Sequence, residues 1–389
     1  MKRIKYKIPK FFYRVFVIPL FLMLLCASCA SIVIREHVKI SSDDWLMANG
    51  NPQKDNISIS ADPVKIPPAL VWDFNVDAGF HNNVFSIADA VLFASTLRGE
   101  IFAIDVSSGK RLGYISKLGG SVFGSPIVRE RSIIFTIDGN EDRSVVSYDF
   151  SKGTTNWEFN AGFIRSSPIV LNDNVIVANK SGLVFSINAL SGEKNWVFNS
   201  GTKISFFTSP ASDGKNIYLG NTSGELFAIN LVTGNLQWRL ETGSSFFCNI
   251  SIHNDTLFTG CNDGIFRAFT NEGAIIWEKK LNTKFSSSST FFNQSIITTG
   301  VNGKVYSLKT QTGENIWEFK TNGAITASPV LAGEYVFIGS FDKNFYCLNA
   351  KTGKEIWRFE TEGRIKATAL VWRGFVFVAS DDKTIYCFK

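Results

Sequence analysis

Histidine is scarce in this sequence, and charge is low. Only three histidines occur, His37, His81 and His253, far apart and with no His or Cys partner at ligand spacing. That pattern excludes a zinc-type centre of the usual spacing, and no Ser-His-Asp constellation can be drawn from it. None of the six cysteines is adjacent to another. Charged residues make up 19% of the chain against 45% hydrophobic, which excludes a disordered chain. Prolines number ten and glycines 31, a balance that suits strands joined by tight turns. Acidic residues are missing from the start of the chain, where Lys2, Arg3, Lys5, Lys7, Lys10 and Arg14 all precede residue 15. Taking those six from the 40 basic residues leaves 34 against 34 acidic ones, a net of zero. The whole-chain charge of +6 is therefore confined to the N-terminus and gives no support for nucleic-acid binding. What is abundant is phenylalanine, 35 residues within an aromatic content of 14%, which suits a β-rich core.

The basic N-terminus runs into the apolar stretch Phe16 to Leu25 and then the small-residue patch Ala27-Ser28-Cys29-Ala30. Charge, apolar run and small residues are the three regions of an export signal. Leu24-Leu25-Cys26-Ala27-Ser28-Cys29 resembles a bacterial lipobox, which makes Cys29 the expected lipidated residue; Cys26 is a poor acceptor because Leu25 precedes it. Two alternatives stay open: cleavage after Ala30 without lipid, and one uncleaved membrane helix over the 19 uncharged residues Phe16 to Ile34. All three place the remainder outside the cytoplasm.

A forty-residue repeat fills that remainder. Gly followed four residues later by Trp recurs at Gly153/Trp157, Gly192/Trp196, Gly234/Trp238, Gly273/Trp277, Gly313/Trp317 and Gly353/Trp357. Trp72 extends the column backwards, and Gly113 holds the slot after Gly109, so seven of eight slots are Trp. A column of small residues runs alongside: Ala103, Ser147, Ser186, Ala228, Ala268, Ser307, Cys347 and Cys387. A third column is Ser-Pro opening an apolar run, at Ser125, Ser167, Ser209 and Ser328. Each unit predicts four short antiparallel strands, the pattern of a propeller blade. After Trp357 the chain supplies only three strands, and the missing one lies at Ala69 to Val76. The expected fold is all-β, an eight-bladed β-propeller of four-stranded antiparallel blades whose ring is closed by one N-terminal and three C-terminal strands. The expected divisions are a signal peptide with lipobox at 1–28, a tether and lead-in at 29–68, and the propeller at 69–389. The strict repetition of Trp72, Trp157, Trp196, Trp238, Trp277, Trp317 and Trp357 assigns them to packing between blades rather than to a carbohydrate site.

The cysteines read mostly as packing. Cys347 and Cys387 stand in the small-residue column. Cys248 and Cys261 flank the His253-Asn254-Asp255 turn on adjacent strands, and a bond between them stays open.

These columns resemble the pyrroloquinoline-quinone-type propeller repeat with its tryptophan-docking motif, as in Ala228-Ile229-Asn230 with Thr233-Gly234 and Trp238, and Cys347-Leu348-Asn349 with Thr352-Gly353 and Trp357. Trp45 to Pro52 resembles the lead-in before a first blade. With a lipobox and a single propeller, the chain is most similar to the BamB-like lipoproteins. The resemblance implies a non-enzymatic scaffold of outer-membrane β-barrel assembly, lipid-anchored on the periplasmic side, monomeric within a complex, with no cofactor, metal or catalytic residue. Its partners would be a BamA-like barrel subunit or unfolded outer-membrane proteins. By loop position, the contact residues would be Lys203, Ile204, Phe206, Phe207, Ser245, Phe246 and Phe247, one Phe of each pair capping the blade interface and the other joining a contact patch. Other exposed-looking aromatics are expected at Phe123 and at Phe163-Ile164-Arg165. Two other readings remain: a quinoprotein-like oxidoreductase, and a surface propeller with an unrelated ligand.

Overall fold

In a computed structural model, residues 31–34, 38–60, 62–140, 142–201 and 204–389 are described. No helix occurs among them. Eight antiparallel sheets of four strands follow one another. Blade 1 comprises Phe85–Ala88, Val91–Ser95, Ile101–Asp105 and Arg111–Ile115. Blade 8 takes Leu370–Trp372, Phe375–Ser380 and Thr384–Phe388 from the C-terminus and Leu70–Asn75 from the N-terminal side, as the repeat count requires. The closing seam is held by reciprocal backbone bonds between Ala69 and Lys389, each 2.9 Å. A ring closed this way has no free edge at the join.

Within a blade, burial falls from the inner strands to the outer one. The second strand Tyr335–Gly339 is nearly all buried, whereas the fourth, Glu355–Glu360, alternates, with Ile356, Arg358 and Glu360 exposed and Trp357 and Phe359 half-buried. The Trp and small-residue columns face each other across the third and fourth strands, as Trp196 opposite Ser186, Trp238 opposite Ala228 and Trp357 opposite Cys347. A small side chain there leaves room for the indole. The register slips beside this pair in every blade, for example between Ala228 and Ile229. A bulge re-aims a side chain, and here it turns each Trp toward the next blade.

The receiving surface is the turn between that blade's third and fourth strands. Trp196 Nε1 donates to Leu231 O at 3.1 Å, Trp238 to Asn271 O at 2.8 Å, and Trp72 to Val106 O at 2.7 Å. The ring lies on the turn glycine. Gly234 has φ +72°, and a Cβ there would come within 2.6 Å of the Trp196 ring. Positive φ and the indole both demand glycine, which explains the Gly-Trp repeat. Trp357 has no such turn to meet, because the chain ends in blade 8; it packs edge-on against Phe388 at 5.5 Å. Trp157 and Trp277 are buried, and the other five are half-buried.

A second interlock lies nearer the axis. The Ser167 amide donates to Ser209 Oγ (2.9 Å), the Ser209 amide to Asn249 Oδ1 (2.7 Å), the Ser288 amide to Ser328 Oγ (3.1 Å), and the Ser328 amide to Thr368 Oγ1 (3.1 Å). Each bond joins neighbouring blades.

Antiparallel blades give the ring two distinct faces. One carries the hairpins between first and second strands and the Trp-receiving turns; we name it the hairpin face. The other, the link face, carries the turns between second and third strands and the blade-to-blade links. The segment expected as a lead-in is built into the hairpin face. Leu46 O accepts from Val128, Pro52 O from Ser212, Gln53 O from Ile252 and Asn56 O from Leu331, each at 2.9 Å. Ile57–Ser58 then pairs in parallel with Val330–Ala332 as a fifth strand of blade 7. Arg373 pairs with Asp43 at 2.7 Å, and Trp372 donates to Asp44 at 2.9 Å. The segment thus crosses the ring axis.

All four described cysteines are free and buried. Continuing the Ser251–Phe258 register would set Cys248 opposite Cys261, but the ladder stops there. Cys248 turns to the next blade, its thiol donating to Ser287 O at 2.8 Å, while Cys261 packs beside Phe246 and Tyr218. Burial pushes the Cys248 thiol up to about 11 and those of Cys261 and Cys347 up to about 12. These four thiols should resist iodoacetamide at pH 8 in the native protein and react fully in denaturant without reductant; a pair that reacts only after reduction would contradict the free assignment.

Candidate interaction face

The links on the link face are fastened at both ends. Ser205 Oγ donates to Lys180 O at 2.8 Å and the Phe206 amide to Asn179 O at 3.2 Å, both in the preceding blade's turn. One blade on, Ser245 Oγ donates to Thr222 O at 2.6 Å and the Phe246 amide to Asn221 O at 3.0 Å. This repeated tie fixes what each Phe-Phe pair does. Phe206 and Phe246 point inward and are fully buried. Phe246 lies so close to Gly220 that a Cβ there would meet its ring at 2.5 Å. As placed, neither side chain can meet a partner, so the contact expectation for Phe206 and Phe246 is corrected: they lock blades together.

Phe207 and Phe247 point the other way. Their rings stack at 5.8 Å with 23° between planes, and Phe247 is exposed. Ile204 and Ser245 are half-buried beside them. Lys203 and Cys29 lie outside the described residues, as does the expected signal segment 1–28. The stacked pair rims a funnel of about 240 Å³ at the ring axis. Phe123 stands on the rim too, with the Arg165 guanidinium 5.0 Å above its ring and His81 4.7 Å from it. Arg165 is held by the buried Asp138 carboxylate at 2.7 Å. Burial, with Lys366 and Arg165 nearby, holds His81 down to about 4, so it is neutral at pH 7. Phe163 is exposed with the Lys180 ammonium 5.0 Å from its ring, and Ile164 is buried. Ser167, Ser209, Asn249, Ser287 and Ser328 line the inner wall, and Asn49 of the lead-in reaches Ser328 Oγ at 3.4 Å. Sequence reasoning read the serines as strand openers and missed both their interblade bonds and their place in the funnel. The one available signal was their recurrence at blade spacing.

A sequence model of the family described as outer membrane protein assembly factor BamB matches residues 68–196, 160–249, 262–343 and 321–389. The chain belongs to this family. No curated protein matches the sequence. Among solved structures, BamB from Moraxella catarrhalis is 18% identical, with a TM-score of 0.69, over 83% of this chain and 97% of that one. A europium-containing methanol dehydrogenase is 14% identical with a TM-score of 0.77, over 86% and 89% of the two chains. The quinohemoprotein alcohol dehydrogenase from Comamonas testosteroni is 12% identical with a TM-score of 0.76, over 89% and 80%. At these identities the three share a fold with this chain.

The dehydrogenase neighbours raise a chemical question that the funnel lining answers. It offers hydroxyls, amides, one imidazole, one guanidinium and three Phe rings, and no carboxylate among the described residues. Calcium takes oxygen ligands, carboxylates prominent among them. The carboxylate behind the lining, Asp138, is buried and paired with Arg165, so it is not free to act as a base for alcohol oxidation. No group of three or more His, Cys, Asp or Glu gathers at metal distance elsewhere among the described residues. The lining does not fit a calcium-quinone centre; its rings, hydroxyls and amides can stack, donate and accept.

Proposed function

We propose that this chain is a non-enzymatic protein-binding scaffold of outer-membrane β-barrel assembly, lipid-anchored through Cys29 on the periplasmic side. The observation that carries it is the stacked Phe207–Phe247 pair on the link face, with Phe247 exposed and Phe207 half-buried. A stacked aromatic pair whose rings already restrain each other supplies contact area at little entropic cost, which is how binding hot spots are built. Family membership points to a BamA-like barrel subunit as the partner, with unfolded outer-membrane proteins as the second candidate. Recognition would proceed without chemistry, the ring presenting Ile204, Phe207, Ser245 and Phe247 to an extended or edge-strand segment.

The two members of each Phe pair should separate cleanly on substitution. Phe207→Ser with Phe247→Ser should leave thermal stability close to wild type and abolish co-purification of barrel-assembly subunits from detergent-solubilised membranes. Phe246→Ala should destabilise the fold by about 3–5 kcal/mol, as a large-to-small core change. Undiminished co-purification with the double variant would defeat the proposed contact, and absence of every barrel-assembly subunit from the wild-type preparation would defeat the assembly role.

A further inference from the structure

Blade 1 breaks the Trp column. Gly113 stands opposite Ala103, where every other blade sets a Trp opposite its small residue. The receiving turn of blade 2 is nevertheless intact: Gly153 keeps φ +75°. The empty slot is filled by a distant part of the chain. A Cβ on Gly113 would lie 2.8 Å from Ile32 Cα and 2.9 Å from Ser31 O, and one on Gly153 would lie 2.8 Å from Val33 Cγ2. Ile32 is fully buried in the cluster with Phe135 and Tyr148. The Ile34 amide donates to Phe150 O at 2.7 Å, and Tyr148 Oη donates to Ile32 O at 3.3 Å. The Ile34 amide takes the carbonyl just past the third strand, as Trp196 Nε1 takes Leu231 O elsewhere, and Val33 covers the turn glycine as an indole does.

We propose that Ser31–Ile34 is a docking strap that replaces the missing tryptophan, and that it sets the ring's orientation by holding the hairpin-face rim of blades 1 and 2 against the lipid surface. The strap is the local fact; the lipid half rests on the anchor at Cys29 proposed above. Two residues, Ala30 and Ser31, separate Cys29 from Ile32, and covalent geometry keeps the three steps within about 11 Å. A lipid on Cys29 is therefore tied short, next to the slot. Phe207 and Phe247 lie on the opposite face, about 17–20 Å away along the strands. The strap thus turns the aromatic pair away from the bilayer, toward a partner domain that stands off the membrane.

Gly113→Trp tests both halves, because it restores the column and displaces the strap without emptying the slot. Hydrogen exchange on the full chain reads the docking: residues 31–34 should be protected in the wild type and lose at least about tenfold protection in Gly113→Trp. Ile32→Asp should do the same, should the first variant fold poorly. Orientation is read on the lipidated protein bound to phosphatidylethanolamine–phosphatidylglycerol vesicles carrying a headgroup quencher. A fluorophore at Lys152→Cys, on the hairpin face of blade 2, should be quenched at least about twofold more than one at Ser181→Cys, on the link face of blade 3, over that separation. The difference should vanish in Gly113→Trp while vesicle binding persists. Free exchange at 31–34 in the wild type, or a difference that survives Gly113→Trp, would overturn the strap. A wild-type protein that fails to bind vesicles would overturn the anchor and the membrane orientation with it, and the exchange result would still decide the docking.

Discussion

Trp277→Ala is expected to lower the unfolding free energy by about 3–5 kcal/mol. The indole is buried, donates from Nε1 to Thr310 O at 2.8 Å, and lies on Gly313. A Cβ at Gly313 would come within 2.6 Å of it, at a backbone φ of +69°. Truncation removes a large apolar surface and leaves a carbonyl of the next blade without its donor. Gly313→Ala is expected to destabilise by two routes, collision with the indole and the penalty for positive φ. Only the second survives when Trp277 is already Ala, leaving about 1 kcal/mol. Urea denaturation of the two single variants and the double variant measures the coupling directly. Strict additivity would mean that the indole and the glycine do not act as one lock.

Lys54→Met is expected to stabilise the protein, and more so at low pH. Lys54 sits in the crossing segment with no exposed surface, and its ammonium finds the Ala48 carbonyl at 3.4 Å. Burial pulls its pKa from 10.5 down to about 7. Between those values the unfolded chain holds a proton that the folded chain has lost, so stability rises with pH across that window. Below pH 7 both states are charged and the folded state carries the full penalty. That difference of pKa corresponds to up to about 5 kcal/mol. The gain from Lys54→Met should therefore be several-fold larger at pH 6 than at pH 10, measured by urea denaturation of both proteins at each pH. A variant less stable than wild type at pH 6 would show that the ammonium is well partnered and that the crossing segment depends on it.

The parts of this protein visible in its sequence are those dictated by side-chain identity. Trp needs a small residue opposite and a glycine to receive it, so three columns recur together and the blade count follows. Ring closure followed from Trp72, which marks a fourth strand lying at the opposite end of the chain from the three it completes. The lead-in at Trp45 to Pro52 was legible as a segment, but its path across the ring was not: Leu46, Pro52, Gln53 and Asn56 bond the inner strands through main-chain groups, which any sequence could supply. The strap was hidden in the same way, although Gly113 marked the vacancy. The Phe-Phe pairs were half legible. Alternation along an extended link turns one ring inward and one outward, and only the Gly220 contact decides that Phe246 goes in. Cys248 and Cys261 matched as cross-strand neighbours, but the strands part after Ser251 and Phe258.

The proposed partner contact of Phe207 and Phe247, on the face opposite the proposed anchor, can be tested in intact cells. A photo-crosslinking amino acid at position 207, with a control at exposed Lys152 on the hairpin face, provides the test. A crosslink from position 207 to a barrel-assembly subunit, identified by mass spectrometry, is expected, and none to that subunit from position 152. A crosslink to that subunit from 152 and not from 207 would contradict the proposed contact.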